Sequence, residues 1–577
     1  MVCGLGLLFV TGGCHRKRKT RSAAKSEAYA DKLRPIVAAK ELKVLRWPNF
    51  SDYEPLVQTF YDDRNFEVAW VEGYKPTKQA SAFIEAFRSA AEKGLLPEDY
   101  DASLWAGRIE KMKAKNDDDT AQFDAAMTVN VMRYISDLRI GRVNPTRFNF
   151  GINTQEKKYD LPEFVSDNAV DAEDVPKLIR SVEPDSEQYR QLEGMLAKYL
   201  DLAKQQAGSS ELQQPLPPVV KPVSPGGTYE DVSGLVARLQ FEGDLAVGAM
   251  GEKPLAPTLT SELSDGVKHY QVRHGLTDDG RLTAQTIASL NVPMMERVKQ
   301  MDDSLERWRW LPNEYVNAPL MVNLPEFVLR GYNNGSDGKA HALDFKMKVV
   351  VGKVVGEHQT PVFAHKMKYL IFRPYWNVPM SIIKKELAPH LAKSGVGYLA
   401  SKNFETVNSK GVPVNATAAE VMRGGVVVRE KPGPKNSLGL VKFMFPNDYD
   451  IYLHSTPTPS LFARSRRDFS HGCVRVEQPV DLAVWVLRNQ GGEWDQAKVK
   501  EAMNSGPDNH TVSLKTPIPI VIFYLTASVG EDGQMKFFDD LYGYDKQLEA
   551  VLAKGMPFPV TPVKIDPHAV ATPGDTD

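Results

Sequence analysis

Cysteine is nearly absent: three in 577 residues, at positions 3, 14 and 473. Two of them fall within the first 14 residues, so no disulfide framework is expected to staple the fold. Long apolar runs are missing too. The apolar stretch at residues 4–13 is far shorter than the ~20 residues a helix needs to span a bilayer. Neither sign of charge dominates, with 71 Lys and Arg against 73 Asp and Glu and a net charge of −2. That balance leaves no overall basic footprint for nucleic acid. The remaining composition, 25% charged and 42% hydrophobic, is that of a soluble globular chain. At roughly 150 residues per domain, the length predicts three or four domains.

Residues 1–14 read as a signal-like segment: the apolar run ends at Gly12-Gly13-Cys14, and HRKRK follows. Small residues before a cleavage point suit a secretory h-region. The same residues resemble a lipoprotein signal, in which Cys14 becomes the lipidated N-terminus. No basic segment precedes the run, so the natural start is expected further upstream. The chain is therefore expected to be exported to the periplasm or cell envelope, where a lipid on Cys14 is a candidate membrane tether; an unusual cytosolic N-terminus is the alternative. Cleavage before Cys14 would leave Cys473 as the free thiol, and a lone thiol in an exported protein is a candidate reactive group.

The fold class expected is multi-domain α+β. Residues 31–205 are dominated by helical patterning: SAFIEAFRSAAEKGLL and AAMTVNVMRYISDLRIGRVNP repeat apolar residues every three or four positions and stop at Gly94, Gly141 and Pro145. Residues 206–227, rich in Pro, Gly and Ser, read as a linker that holds no regular element. A compact three-helix module follows at 228–293, with Thr283 as the N-cap of its last helix. Residues 294–312 read as an amphipathic connecting helix. From 313 to 555 the segments FKMKVVVGKV, KMKYLIFRPYWNVP, LVKFMFP and DIYLHS are rich in β-branched and aromatic residues between Gly, Pro, Asn and Asp, a strand signature. Within this β-rich domain, residues 380–436 read as an insertion of a helix and a loop. The tail, 556–577, is proline-rich and expected to be disordered.

Cys473 lies in SHGCVR, Ser470 to Arg475. A reactive cysteine needs a base or a positive environment. DIYLHSTP supplies His454 at the end of a strand, upstream of a loop and an elbow. His471 and Arg475 alternate with Cys473, and in an extended chain all three share a face. Gly472 permits a tight turn, which would aim the Cys473 N–H as half of an oxyanion hole. A zinc site from His454, His471 and Cys473 is the alternative, weakened because no fourth ligand is apparent. A structural role for the histidines is the other.

HSTPTPSLFARSRRDFSHGCVRV resembles the signature of the L,D-transpeptidase catalytic domain of the YkuD type, in which a His precedes Ser-His-Gly-Cys-x-Arg by some twenty residues. FRPYWNVP, KPGPKNSLGLVKFMFPN and IVIFYLTASVGEDGQMKFFDDLYGYD resemble the large multi-domain members of Gram-negative envelopes. VKHYQVRHGLTDDGRLTAQTIASLN resembles a small peptidoglycan-binding module. FYDDRNFEVAWVEG, EKGLLPEDY and LRIGRVNP resemble the N-terminal scaffold domain of the same enzymes.

The resemblance implies catalysis on peptidoglycan stem tetrapeptides. Cys473 would be the nucleophile, His454 the base, the Ser455 backbone its orienter, and the Tyr452 hydroxyl an oxyanion donor beside the Cys473 N–H. Ser470, His471, Gly472 and Arg475 would hold the elbow or substrate, and Trp376, with Tyr375, would line the cleft or pack in a core. For Arg475, carboxylate binding and a structural ion pair stand side by side. The insertion would be a lid. No metal or organic cofactor is needed, carbapenems would form thioesters with Cys473, and other cell-wall synthesis proteins are candidate partners. A hydrolase of the same fold and a non-catalytic envelope-binding protein are the competing functions.

Overall fold

The computed structural model describes residues 23–249, 256–334, 340–355 and 358–558. The signal-like segment 1–14 and nearly all of the tail lie outside the described residues. The chain divides into two compact units. The first takes residues up to 88, 97–134 and 160–178; the second takes 89–96, 135–159 and everything from 179.

The first unit is helical. In helix Lys78–Arg88 the apolar spacing brings Ala80, Phe83, Ile84 and Phe87 to one buried face. Helix Asp117–Ile140 opens with three aspartates, which suit the positive end of a helix dipole. Its fully buried Asp124 accepts hydrogen bonds from the Tyr61 hydroxyl (2.7 Å) and from the N–H groups of Ala69 (2.9 Å) and Trp70 (2.7 Å). Those three donors compensate a carboxyl group that would be costly to bury alone.

The second unit is built on a mixed sheet of nine strands: β1 (Leu320–Asn323), β2 (Val328–Asn334), β3 (Ala340–Gly352), β4 (Phe363–Phe372), β5 (Val441–Met444), β6 (Leu453–His454), β7 (Asp468–Ser470), β8 (Val474–Val476) and β9 (His510–Phe523). Their order is β7-β3-β8-β6-β5-β4-β9-β1-β2, and β2 also pairs with β3, so the sheet closes into a barrel-like ring. Side chains alternate across it. Val441, Phe443, Leu453, Val474 and Val476 are buried in the main core, whereas Lys442, Met444 and Arg475 face the other way and are half-buried.

Three segments differ from the reading of the sequence. Helix Met294–Trp310, expected to be amphipathic, is buried over most of its length. It packs against helix Glu187–Gly208, strand Ala527–Val529 and helix Tyr544–Leu552, which covers the charges of its C-terminal half while Glu296 and Lys299 stay partly exposed. Of the covered charges, Arg307 pairs with Asp545 at 2.6 Å, and Glu306 accepts from the Val143 N–H at 3.0 Å. Helix Glu187–Gly208 therefore belongs to the second unit rather than to one helical domain ending at 205.

The supposed linker is built into the three-helix module. A helical turn occupies Ser210–Gln213, and Leu216 is buried in the core formed by helices Val232–Glu242, Ser261–Arg273 and Ala284–Leu290. Asn291 holds the Leu216 backbone from both sides, at 2.7 and 2.9 Å. Further along, Val223 and Leu282 exchange two backbone hydrogen bonds, at 2.9 and 3.0 Å, so an antiparallel bridge also fixes the path between the prolines. Thr283 does cap the last helix, accepting from the Thr286 N–H at 3.1 Å.

The insertion is more than a helix and a loop. Strands Trp376–Asn377, Phe404–Val407 and Val427–Glu430 form a separate three-stranded sheet. With the helices beside it, this sheet encloses its own core of Val378, Ile382, Ile383, Leu391, Val421 and Val428. Among the described residues no helix is long and apolar enough to cross a membrane.

Candidate active site

Strand register assembles the site. β6 pairs antiparallel with β5 and parallel with β8, which places Lys442, His454 and Arg475 in one row across three strands. One step along, Leu453 pairs with Val474, so Tyr452 lies beside Cys473. Because side chains alternate, Tyr452, His454, Cys473, Arg475 and Lys442 share one face while their neighbours enter the core. That face floors a cavity of about 940 Å³. The insertion supplies much of the remaining wall, including Trp376, Ile382 and Glu386.

The elbow before Cys473 is not extended, contrary to the alternation expected from the sequence. Residues 471–473 form a bend between β7 and β8, and Gly472 has φ +120°. A Cβ there would be strained by that φ and would sit 3.3 Å from Ile451 Cδ1. The Ser470 hydroxyl accepts from the Gly472 N–H at 3.1 Å, and the Thr360 hydroxyl donates to the Gly472 carbonyl at 2.6 Å. Thr360 in turn accepts from the Gly352 N–H at 2.9 Å, while the Tyr542 hydroxyl donates to the Gly352 carbonyl at 2.7 Å. All these groups are buried, so the turn is held from beneath.

His454 is buried, and its Nδ1 lies 2.6 Å from the Ser455 carbonyl oxygen. A carbonyl only accepts, so Nδ1 carries the proton and Nε2 keeps its lone pair. Burial, then Arg475 and Lys442, push the imidazole down to about 3. Burial pushes the Cys473 thiol up to about 11, against hydrogen bonds from Tyr452 and the field of Lys442, although one side of the residue opens to the cavity. The thiol donates to the Asp450 carbonyl at 3.6 Å. Cysteine and histidine are therefore both neutral near neutral pH; the positive surroundings do not hold a resting thiolate.

Tyr452 lies edge-on to His454 with ring centres 5.8 Å apart, and its hydroxyl interacts with Cys473 and Trp376. Trp376 lines the cavity and also packs on the core of the insertion beside Phe404. Tyr375 is elsewhere: its ring lies 3.8 Å under the Arg429 guanidinium. His471 lines the same cavity as Cys473 but is engaged by another group. Its Nε2 reaches Glu386 Oε1 of the insertion at 2.6 Å, and its ring stands perpendicular to His358. Arg475 lines the cavity with its buried Nε lacking a hydrogen-bond partner. Among the described residues no three His, Cys, Asp or Glu side chains are grouped to hold a metal ion.

Reading the sequence alone missed Lys442, Thr360, Tyr542 and Glu386. A signal existed for Lys442, since LVKFMF sets a lysine at the outward position of an alternating strand. The other three depend on contacts between distant segments, which no local pattern carries.

Comparison with known proteins agrees with this arrangement. Residues 318–520 match the family model of the L,D-transpeptidase catalytic domain (YkuD), and residues 55–196 match that of the scaffold domain. A Haemophilus influenzae protein provisionally named an L,D-transpeptidase is 29% identical over 282 residues, 47% of this chain and 54% of that protein. The chain thus spans about half the length of this curated relative. The crystal structure of an L,D-transpeptidase from Xylanimonas cellulosilytica is matched at 13% identity over 53% of this chain and 100% of that one, with a TM-score of 0.15. That score is too low to bear on the fold. The family models and the relative converge on one conclusion: residues 318–520 are similar to the L,D-transpeptidase catalytic domain, and residues 55–196 to the scaffold domain.

Proposed function

We propose that the protein is a cysteine acyltransferase that forms 3→3 cross-links between peptidoglycan stem peptides in the cell envelope. The observation that carries this reading is the shared face of Cys473, Tyr452 and His454, with the Nδ1 of His454 tied to Ser455. Nε2 is then the unprotonated ring nitrogen of a side chain that lines the cavity.

In the proposed reaction His454 Nε2 takes the Cys473 proton as sulfur attacks the carbonyl of the third residue of a stem tetrapeptide. The Tyr452 hydroxyl and the Cys473 N–H face the oxyanion; one such donor is worth about 3 kcal/mol. Collapse breaks the peptide bond, the imidazolium returns its proton to the leaving amine, and D-Ala departs. An acceptor amine then attacks the thioester and gives a proton to His454, which passes it to the departing sulfur. Starting from a neutral pair suits this cycle, because the proton moves only when the carbonyl is in place.

Ser470 and Gly472 shape the elbow, Arg475 and Trp376 face the substrate, and the three-helix module is assigned to peptidoglycan binding. Mass spectrometry of purified stem tetrapeptides, incubated with the protein or with Cys473→Ala, tests the reading. New 3→3 dimers that require Cys473 are expected. Tripeptide and free D-Ala without dimers would replace it with the hydrolase, and no change would leave a binding protein.

A further inference from the structure

We propose that Lys442 and Arg475 jointly bind a free carboxylate of the acyl donor, and that Lys442 makes the site select donors whose attacked residue carries one at the end of its side chain. This inference rests on the acyl-transfer reading above and names the substrate class it implies: an acidic peptide whose diamino acid keeps its second carboxylate unmodified.

The two cations flank His454 in the same row, one on each neighbouring strand, and both open into the cavity. Lys442 is half-buried with its Nζ 5.3 Å above the centre of the Tyr452 ring, and Arg475 buries an Nε without a hydrogen-bond partner. Among the described residues neither is joined to a carboxylate. Two acids do line the cavity: Glu386 is engaged by His471, and Asp450 turns its backbone carbonyl to the thiol. Burying unpaired positive charge costs free energy that an anionic ligand restores.

A substrate carboxylate lying across the row would pass directly over His454. It would also cancel the two charges that oppose protonation of His454. Basicity would then rise when an anionic donor is seated, a coupling that favours the correct substrate in the transition state as well as in binding.

The test compares alkylation of Cys473 by iodoacetate and by iodoacetamide in the full chain. The ratio of the two rates cancels the reactivity of the thiol and reports the field felt by an anion. In Lys442→Met the iodoacetate to iodoacetamide ratio is expected to fall about fivefold, and in Lys442→Arg to hold. An unchanged ratio in Lys442→Met overturns the proposal. Lys442→Gln serves if the Met variant does not fold.

A second readout uses the unmodified protein. The KM for a tetrapeptide with the diamino-acid carboxylate free is expected to lie about tenfold below that for its amide, an advantage lost in Lys442→Met. Equal KM values for the two peptides also overturn it. A fallen ratio with no turnover of either peptide would support the anion site while removing the acyl-transfer reading.

Discussion

The Nδ1 of His454 lies 2.6 Å from the carbonyl oxygen of Ser455, the next residue in the chain. Backbone therefore orients the imidazole, and no third side chain is needed for that task. Since the orienter is a carbonyl, substitution of the Ser455 side chain alone leaves the tautomer unchanged. Replacing the ring does not: His454→Ala is expected to lower turnover by about 10²- to 10⁴-fold. Turnover within tenfold of the parent would remove His454 as the base.

Cys473→Ala is expected to abolish D-Ala release, while far-UV circular dichroism and melting temperature stay close to those of the parent. Cys473 is only half-buried, so removing its sulfur leaves a small cavity. The same variant is expected to lose a carbapenem adduct that the parent shows by intact mass. An adduct on Cys473→Ala would place the nucleophile elsewhere.

The neutral state of the pair predicts a pH dependence. Burial holds the thiol up to about 11 and the imidazole down to about 3. Between those values neither group changes charge in the free protein. Iodoacetamide alkylation is therefore expected to rise with pH without an inflection below about pH 9. A plateau reached near pH 6 would instead report a thiolate–imidazolium pair.

Gly472→Ala tests the elbow. At φ +120° an alanine is strained, and its Cβ would meet Ile451. A loss of about 1–3 kcal/mol in stability is expected, read by denaturant unfolding, together with a lowered kcat. Thr360→Val, which removes the donor to the Gly472 carbonyl, is expected to cut kcat about tenfold through misplacement while KM changes little. Parental kcat in both variants would show that the turn does not set the geometry of attack.

Glu242 gives a stability prediction away from the site. Its side chain is buried beside Arg273 and His274, and burial raises its carboxyl to about 7. The folded state thus holds a proton that the unfolded chain releases near its ordinary value of 4.5. Stability from this group is full below about 4.5 and is lost as pH rises through about 7. In Glu242→Gln the fall in melting temperature between pH 5 and pH 8 is expected to shrink. An unchanged slope would assign the loss to other groups.

The candidate pair, Cys473 and His454, could be picked out in the sequence because a short motif carries both residue types at a fixed separation. The fold class was legible because periodicity changes from helical to alternating after Pro312. Less could be read where geometry is set by distant segments. His471 looked like a partner of Cys473 by spacing, yet the bend at Gly472 turns it toward Glu386. Helix Met294–Trp310 has the polar residues of a surface helix, but three elements cover its C-terminal half, where Arg307 finds Asp545 of a distant helix. Lys442 belongs with His454 only through strand register, and strand register was the part the sequence did not disclose.

Within the catalytic domain, the insertion leaves and rejoins the barrel through strands that pair with one another: Trp376 opposes Glu430, and Asn377 opposes Arg429. Its two ends are thus about 5 Å apart, one strand spacing. A two-residue hairpin turn would bridge that gap, and the apolar cluster inside the insertion is separate from the one inside the barrel. The roof over Cys473 is in this sense a cassette: exchanging it, lengthening it or cutting it away would reshape the cavity above Cys473 while the barrel strands beneath keep their register.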